Sequence, residues 1–146
     1  MRIAILTISD RAFRGERADA SGPALADAVL AQGWQVAAVR VVPDDLTQIS
    51  AQLTHWADSG KIDMILTTGG TGFSPRDITP EATLTIIQRQ APGLAEAMRH
   101  ASLQHTPHAM LSRGVAGIRQ RTLIVNLPGS PRAAVENLAV IIPVLP

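Results

Sequence analysis

The sequence predicts an α/β sandwich built on a mainly parallel sheet. Strand-like and helix-like stretches alternate along the chain. The opening stretch Ile3–Ser9 is nearly all apolar, as expected of a strand covered on both faces. Apolar residues make up 46% of the 146 and charged residues only 17%, against about 25% charged in an average domain. This excludes a disordered chain and predicts one domain over residues 1–146.

The elements follow in order. Ile3–Ser9 is the first strand and Arg11–Asp19 a polar loop. Ser21-Gly22-Pro23 opens a helix that runs to Ala31 and closes at Gly33. Trp34–Val42 is a second strand, ended by Pro43-Asp44-Asp45. Leu46, Ile49, Leu53 and Trp56 form a helical stripe, with Asp45 as its cap and Gly60 as its stop. Ile62–Leu66 is a third, buried strand, followed by a glycine-rich loop from Thr67 to Gly72. Thr79-Pro80-Glu81 starts the next helix, with Thr79 as N-cap, proline at the first helical position and an acid in the first turn. Pro92-Gly93 breaks it, and Leu94–Leu103 is a further helix. Val115–Arg119 and Thr122–Asn126 are strands, and Ser130-Pro131 opens the last helix. Trp34, Trp56, Met64, Met98 and Met110 are expected in the core.

Composition removes several chemistries. There is no cysteine, hence no disulfide, thiolate nucleophile or cysteine zinc site. There is no tyrosine, and four aromatics make a poor base-stacking platform. A net charge of +1 excludes strong polyanion binding by bulk field. No nucleic-acid or membrane partner is expected. The start is too short and too soon charged for a signal peptide, so a cytoplasmic protein is expected. One asymmetry remains. The chain has a single lysine, Lys61, and no acid between Glu96 and Glu136, where five arginines fall. Arginine suits bidentate anion binding, while a compositional preference for arginine over lysine accounts for the ratio more than for the clustering; Arg113 and Arg132 are candidates to steer anions.

In open parallel sheets, ligands bind beyond the carboxyl ends of the strands. Four polar clusters fall there: Ser9-Asp10-Arg11, Asp44-Asp45, Thr67 to Asp77, and Asn126 to Ser130. The run Gly69-Gly70-Thr71-Gly72 leaves backbone N–H groups unshielded, which suits an anion nest for phosphate. A tight turn accounts for the same spacing equally well. Asp77 beside a phosphate loop points to a divalent cation, held with Asp44 or Asp10. Asp10 fits loop hydrogen bonding as well as it fits function. Phe73 is either a hydrophobic plug or a cover for a ring-shaped ligand. His100, His105 and His108 lie close together, but Pro107 interrupts any helical ligand spacing.

Thr67-Thr68-Gly69-Gly70-Thr71-Gly72, followed by Arg76-Asp77 and Thr79-Pro80-Glu81-Ala82, closely resembles the signature of the MoaB/MogA molybdenum-cofactor biosynthesis proteins and the gephyrin G domain. The resemblance extends to Ser9-Asp10-Arg11, Pro43-Asp44, Leu111-Ser112-Arg113 and Asn126-Leu127-Pro128-Gly129-Ser130-Pro131. It implies a three-layer α/β/α fold assembled as a homotrimer, and a binding site for molybdopterin. It implies adenylylation of the molybdopterin terminal phosphate by Mg-ATP, with pyrophosphate released. Asp44 and Asp77 are then the catalytic and Mg²⁺-binding carboxylates. Ser9, Asp10, Thr68, Gly69, Gly70, Thr71, Gly72, Asn126, Pro128, Gly129 and Ser130 are the implied substrate-binding residues. A molybdenum-insertion enzyme acting downstream is the implied protein partner. The alternative implied by the same family is a non-catalytic molybdopterin-binding or scaffold protein.

Overall fold

The computed structural model describes residues 1–146. Its strands are β1 (Arg2–Ile8), β2 (Gln35–Val42), β3 (Met64–Thr68), β4 (Arg89–Gln90), β5 (Ala116–Arg119) and β6 (Thr122–Leu127). Its helices are α1 (Asp10–Phe13), α2 (Ser21–Ala31), α3 (Leu46–Asp58), α4 (Thr79–Ile86), α5 (Pro92–Ser102) and α6 (Pro131–Ile141). Two 3₁₀ segments, Pro107–Leu111 and Ile142–Val144, complete the chain. The six strands form one sheet in the order β2-β1-β3-β6-β5-β4. The pairs β1–β2, β1–β3 and β3–β6 are parallel. The β6–β5 and β5–β4 pairs are antiparallel, so the mainly parallel sheet carries an antiparallel margin.

Side-chain alternation along the strands divides the core in two. Ile3, Ile5, Met64, Leu66, Val125 and Leu127 face one side, against Leu25 and Val29 of α2, Met98 of α5, and Ala134, Leu138 and Ile141 of α6. Ala4, Leu6, Ile8, Ile65 and Ile124 face the other, against Ile49, Leu53 and Trp56 of α3 and Ala82 and Ile86 of α4. The period of two along a strand requires this split, and helices on both faces make the expected three layers.

Several elements differ from expectation. The segment after β1 opens with one short helix, because Ser9 accepts a hydrogen bond from the Ala12 N–H and nucleates a turn there. Thr67 and Thr68 belong to β3, so the glycine loop begins at Gly69. Thr79 does not cap α4 but is its first residue. Its hydroxyl instead donates to the Gly69 carbonyl at 2.9 Å. Met110 is exposed, because Pro107 turns its segment into a surface 3₁₀ helix. Trp56, Met64 and Met98 are buried, while Trp34 is only half-buried. Phe73 is 68% exposed and plugs nothing.

Asn126 locks the middle of the sheet. It is buried, and its amide donates to the hydroxyls of Thr67 and Thr83, both at 3.0 Å. Its oxygen accepts from the Val115 N–H. We expect Asn126→Ala to lower the unfolding free energy in urea by about 2–4 kcal/mol, since buried partners left unpaired cost about 1–3 kcal/mol each.

At the opposite end of the sheet, the Arg2 guanidinium and backbone N–H both reach the Asp63 carboxylate. Arg2 holds this acid down to about 2, below its ordinary 3.8. The resulting stability is complete above about pH 4 and lost as pH falls toward about 2. Asp63→Asn should flatten that part of the acid-unfolding curve. The change should be at most about 1 kcal/mol, because both side chains are partly solvated.

Candidate functional site

The chain runs from β1 outward to β2 and then returns to β3 on the other side of β1. A crevice therefore opens beyond the carboxyl ends of β1 and β3, where the connections diverge. A cleft of about 840 Å³ occupies this place. Ser9, Asp10, Asp44, Thr68, Gly69, Gly70, Asp77, Gly129 and Ser130 all line it. Four expected site residues do not: Thr71, Gly72, Asn126 and Pro128. Asn126 is committed to the sheet, as described above, and the Pro128 carbonyl accepts the Thr68 hydroxyl at 2.6 Å. Thr71 is buried, and its carbonyl accepts from the Arg113 N–H.

The glycine turn is shaped by close approach. Gly69 has φ +99° and Gly70 has φ +69°. A Cβ on Gly69 would collide with the Ile8 carbonyl oxygen, and one on Gly70 with the Thr79 hydroxyl. Only glycine satisfies both the dihedral and the space. The Gly69 N–H is committed to the Leu127 carbonyl at 3.2 Å. The N–H groups of Gly70, Thr71 and Gly72 make no hydrogen bond within the chain. The donors available to an anion thus begin one residue later than expected, and of these three residues Gly70 lines the cleft.

Three carboxylates gather beside this turn, with distinct duties. Asp10 and Asp44 exchange bonds: the Asp10 N–H donates to Asp44 at 3.0 Å, and the Asp44 N–H to Asp10 at 2.9 Å. Asp10 also receives a forked contact from Arg76, with Nε at 3.0 Å and Nη2 at 2.9 Å. Burial alone would raise the Asp10 carboxyl, but the Asp44 N–H and the Arg76 guanidinium more than reverse this and hold it low. Asp10 is therefore a latch between three loops. Asp44 is pushed up, first by burial and then by the facing charges of Asp10 and Asp77, although the Asp10 N–H opposes the rise. Asp77 accepts from the Ser74 N–H at 2.9 Å, and neither Asp44 nor Asp77 has an ion-pair partner. No group of three or more His, Cys, Asp or Glu side chains is placed to hold a metal.

Two serines complete the far wall. Ser9 caps α1 and Ser130 caps α6, each hydroxyl accepting a backbone N–H. Both residues line the cleft, and each hydroxyl still has its own proton to donate.

Sequence reasoning missed the wall between α1 and α2. Arg17, Asp19 and Ser21 line the cleft, with Arg11 beside them. Asp19 accepts from the Thr7 hydroxyl and the Gly22 N–H, and Ser21 donates to the Gly129 carbonyl. The signal was the Asp-x-Ser-Gly-Pro pattern at residues 19–23, which has the look of a helix start with its acceptor one residue early. Arg11 and Arg17 make no side-chain hydrogen bond or ion pair, unlike most arginines of the chain.

The basic C-terminal third does not form the expected anion wall. Arg99 donates to the Gly114 carbonyl, Arg119 pairs with Asp58, and Arg132 pairs with Glu136. Arg113 donates to the Gly72 and Asp77 carbonyls and forks onto Glu81. None of these four lines the cleft.

The family described as probable molybdopterin binding domain matches residues 4–146. The chain is 40% identical to molybdopterin adenylyltransferase of Helicobacter pylori strain J99, over 100% of this chain and 84% of that protein. It is 44% identical to gephyrin of Dictyostelium discoideum over 99% of its own length, but spans only 21% of that protein. The crystal structure of the molybdopterin biosynthesis enzyme MoaB from Thermus thermophilus superposes with a TM-score of 0.93. That structure is 53% identical, and the match covers 99% of this chain and 91% of the other. A match over nearly the whole chain, with a switch-point cleft built from the matching motifs, leaves one assignment: the chain belongs to the MoaB/MogA family of molybdenum-cofactor biosynthesis proteins.

Proposed function

We propose that the protein transfers AMP from Mg-ATP to the terminal phosphate of molybdopterin, giving adenylylated molybdopterin and pyrophosphate. One observation carries this reading. The two carboxylates without a guanidinium partner, Asp44 and Asp77, stand beside a turn whose Gly70, Thr71 and Gly72 N–H groups are unpaired. Acidic groups and anion donors side by side suit a cation-bridged phosphate ligand better than either suits alone.

The donor set fits Mg²⁺. Two carboxylates with substrate phosphate and water are its usual company, and Asp44, raised first by burial and then by the charges of Asp10 and Asp77, would be relieved by a cation beside it. When bound, the ion supplies charge neutralisation and polarisation of the nucleotide phosphates. The protein residues position both anions. The Gly70 N–H and the Ser9 and Ser130 hydroxyls donate to phosphate oxygens. Arg11 and Arg17, with free guanidinium groups, attract the polyphosphate. A phosphate oxygen of the pterin attacks the α-phosphorus, a new P–O bond forms, and the bond to the bridging oxygen breaks. Pyrophosphate leaves with that electron pair, and no proton has to move. The cleft accordingly needs no histidine, and none lines it.

By the same resemblance we propose a cytoplasmic homotrimer, whose product is passed to a molybdenum-insertion enzyme. No helix is long and apolar enough to cross a membrane. Sedimentation equilibrium at three times the monomer mass is the expected result.

The central test is AMP transfer with molybdopterin, ATP and Mg²⁺, beside calorimetry with the pterin alone. Binding without transfer would convert the protein into a scaffold of the same family. Asp77→Asn should lower turnover more than about 100-fold while sparing the fold and pterin binding, since even outer-shell changes at metal sites cost about 10–100-fold. Unchanged turnover removes Asp77 from the reaction. Gly70→Ala should cost about 1–3 kcal/mol of stability from the left-handed backbone alone. It should also reduce nucleotide affinity, because the Thr79 hydroxyl must move to admit the methyl group.

A further inference from the structure

The segment that carries Asp77 is poorly anchored by its own side chains. Phe73, Ser74, Pro75 and Arg76 are all exposed. Within the segment, Ser74 and Asp77 exchange backbone and side-chain bonds, and Arg76 reaches out to Asp10. None of these contacts fixes the segment to the helical layer behind it. Its C-terminal end is anchored by Ile78, packed on the core at the start of α4, and one guanidinium ties both ends together. Arg113 Nε donates to the Gly72 carbonyl at 2.7 Å, and Arg113 Nη2 donates to the Asp77 carbonyl at 2.6 Å. These carbonyls are the two ends of the segment.

Arg113 is itself held on two sides. Its backbone N–H donates to the Thr71 carbonyl at 2.8 Å. Its guanidinium forks onto Glu81 in the first turn of α4, at 2.8 and 3.0 Å. The Glu81 carboxyl is held below its ordinary value by this same fork. The path of force is thus α4 to Glu81, Glu81 to Arg113, and Arg113 to both ends of the Asp77 segment. We infer that Arg113 is a positioning residue that fixes the Asp77 carboxylate relative to Asp44, and so sets the divalent-cation affinity of the cleft.

Lysine cannot replace it. An ammonium is a point donor, whereas the contacts need a planar fork that reaches two carbonyls and a carboxylate together. Arg113 does not line the cleft, so a direct contact with substrate does not account for a defect in its variants. The inference rests on Asp77 holding a cation, as in the adenylyl-transfer reading, but its test does not require turnover.

The test is Mn²⁺ binding in the presence of ATP, measured by calorimetry on wild type, Arg113→Lys, Arg113→Gln and Glu81→Gln. Each change is then repeated in an Asp77→Asn background. Arg113→Gln should weaken Mn²⁺ binding about 10–100-fold, the range for groups that orient a metal ligand. Arg113→Lys should recover only part of the loss, and Glu81→Gln should lose less than Arg113→Gln. In the Asp77→Asn background none of the three should weaken Mn²⁺ further, because the ligand they position is gone. In turnover assays, kcat should fall while KM for molybdopterin stays constant.

Equal losses in both backgrounds would overturn the proposal and leave Arg113 a merely structural residue, as would wild-type affinity in all three variants. Arg113→Lys keeps the charge and most of the bulk, so it tests the idea even where Arg113→Gln fails to fold. Wild type binding no Mn²⁺ would instead defeat the metal reading of Asp44 and Asp77, and this proposal with it. Wild type binding Mn²⁺ with unaffected variants defeats the proposal alone.

Discussion

The cleft exists because three chain segments approach without side chains between them. Gly69 lies directly beneath the Ile8 carbonyl, and a Cβ on Gly129 would stand 3.4 Å from the Gly69 Cα. Gly70 fits against Thr79 at the start of α4. A side chain at Gly69 or Gly70 would force the ends of β1 and β3 and the start of α4 apart, whereas a Cβ at Gly129 would make ordinary contact. Close approach also decides which donors are left. It commits the Gly69 N–H to Leu127 and frees the amides that follow.

Charge is organised around the same approach. A group of carboxylates at one crevice is unstable unless its members are given different surroundings. Here Arg76 neutralises Asp10, which turns one acid into a crosslink between the loops after β1, β2 and β3. Asp44 keeps its negative field and feels Asp77 across the turn. The unequal treatment leaves Asp44 and Asp77 without ion-pair partners, where an evenly paired cluster would be a salt-bridge network.

Much of this was legible in the sequence, for identifiable reasons. Strands covered on both faces must be apolar, so β1 and β3 announced themselves and with them the parallel sheet. Asp45 as a helix cap, Ser130-Pro131 as a helix start and the glycine turn are local effects, and local effects are written in neighbouring residues. The site positions that line the cleft share that origin, because they sit where strands end. The hydrogen-bond partners of Asn126 and Thr79 were not legible, for the complementary reason. Thr67 and Thr83 for one, and Gly69 for the other, come from elements that meet only in the fold. The two-residue strand β4 and the 3₁₀ segment at Pro107–Leu111 have too few residues to show a period at all.

The arginines show the limit most sharply. An acid-free stretch rich in arginine reads as an anion-facing wall if charge is counted along the chain. In three dimensions the acids that answer it are Asp58 and Glu81, from the middle of the chain, and Glu136 just beyond its end. Backbone carbonyls accept from Arg99 Nη1 and from Nε and Nη2 of Arg113. Sequence proximity to a ligand motif therefore says little about whether an arginine touches the ligand. Whether its five donors are already satisfied says a great deal. By that criterion the chain divides its labour. Arg76 and Arg113 spend their donors on the loops around the cleft, while Arg11 and Arg17 on the cleft wall make no side-chain bond within the chain.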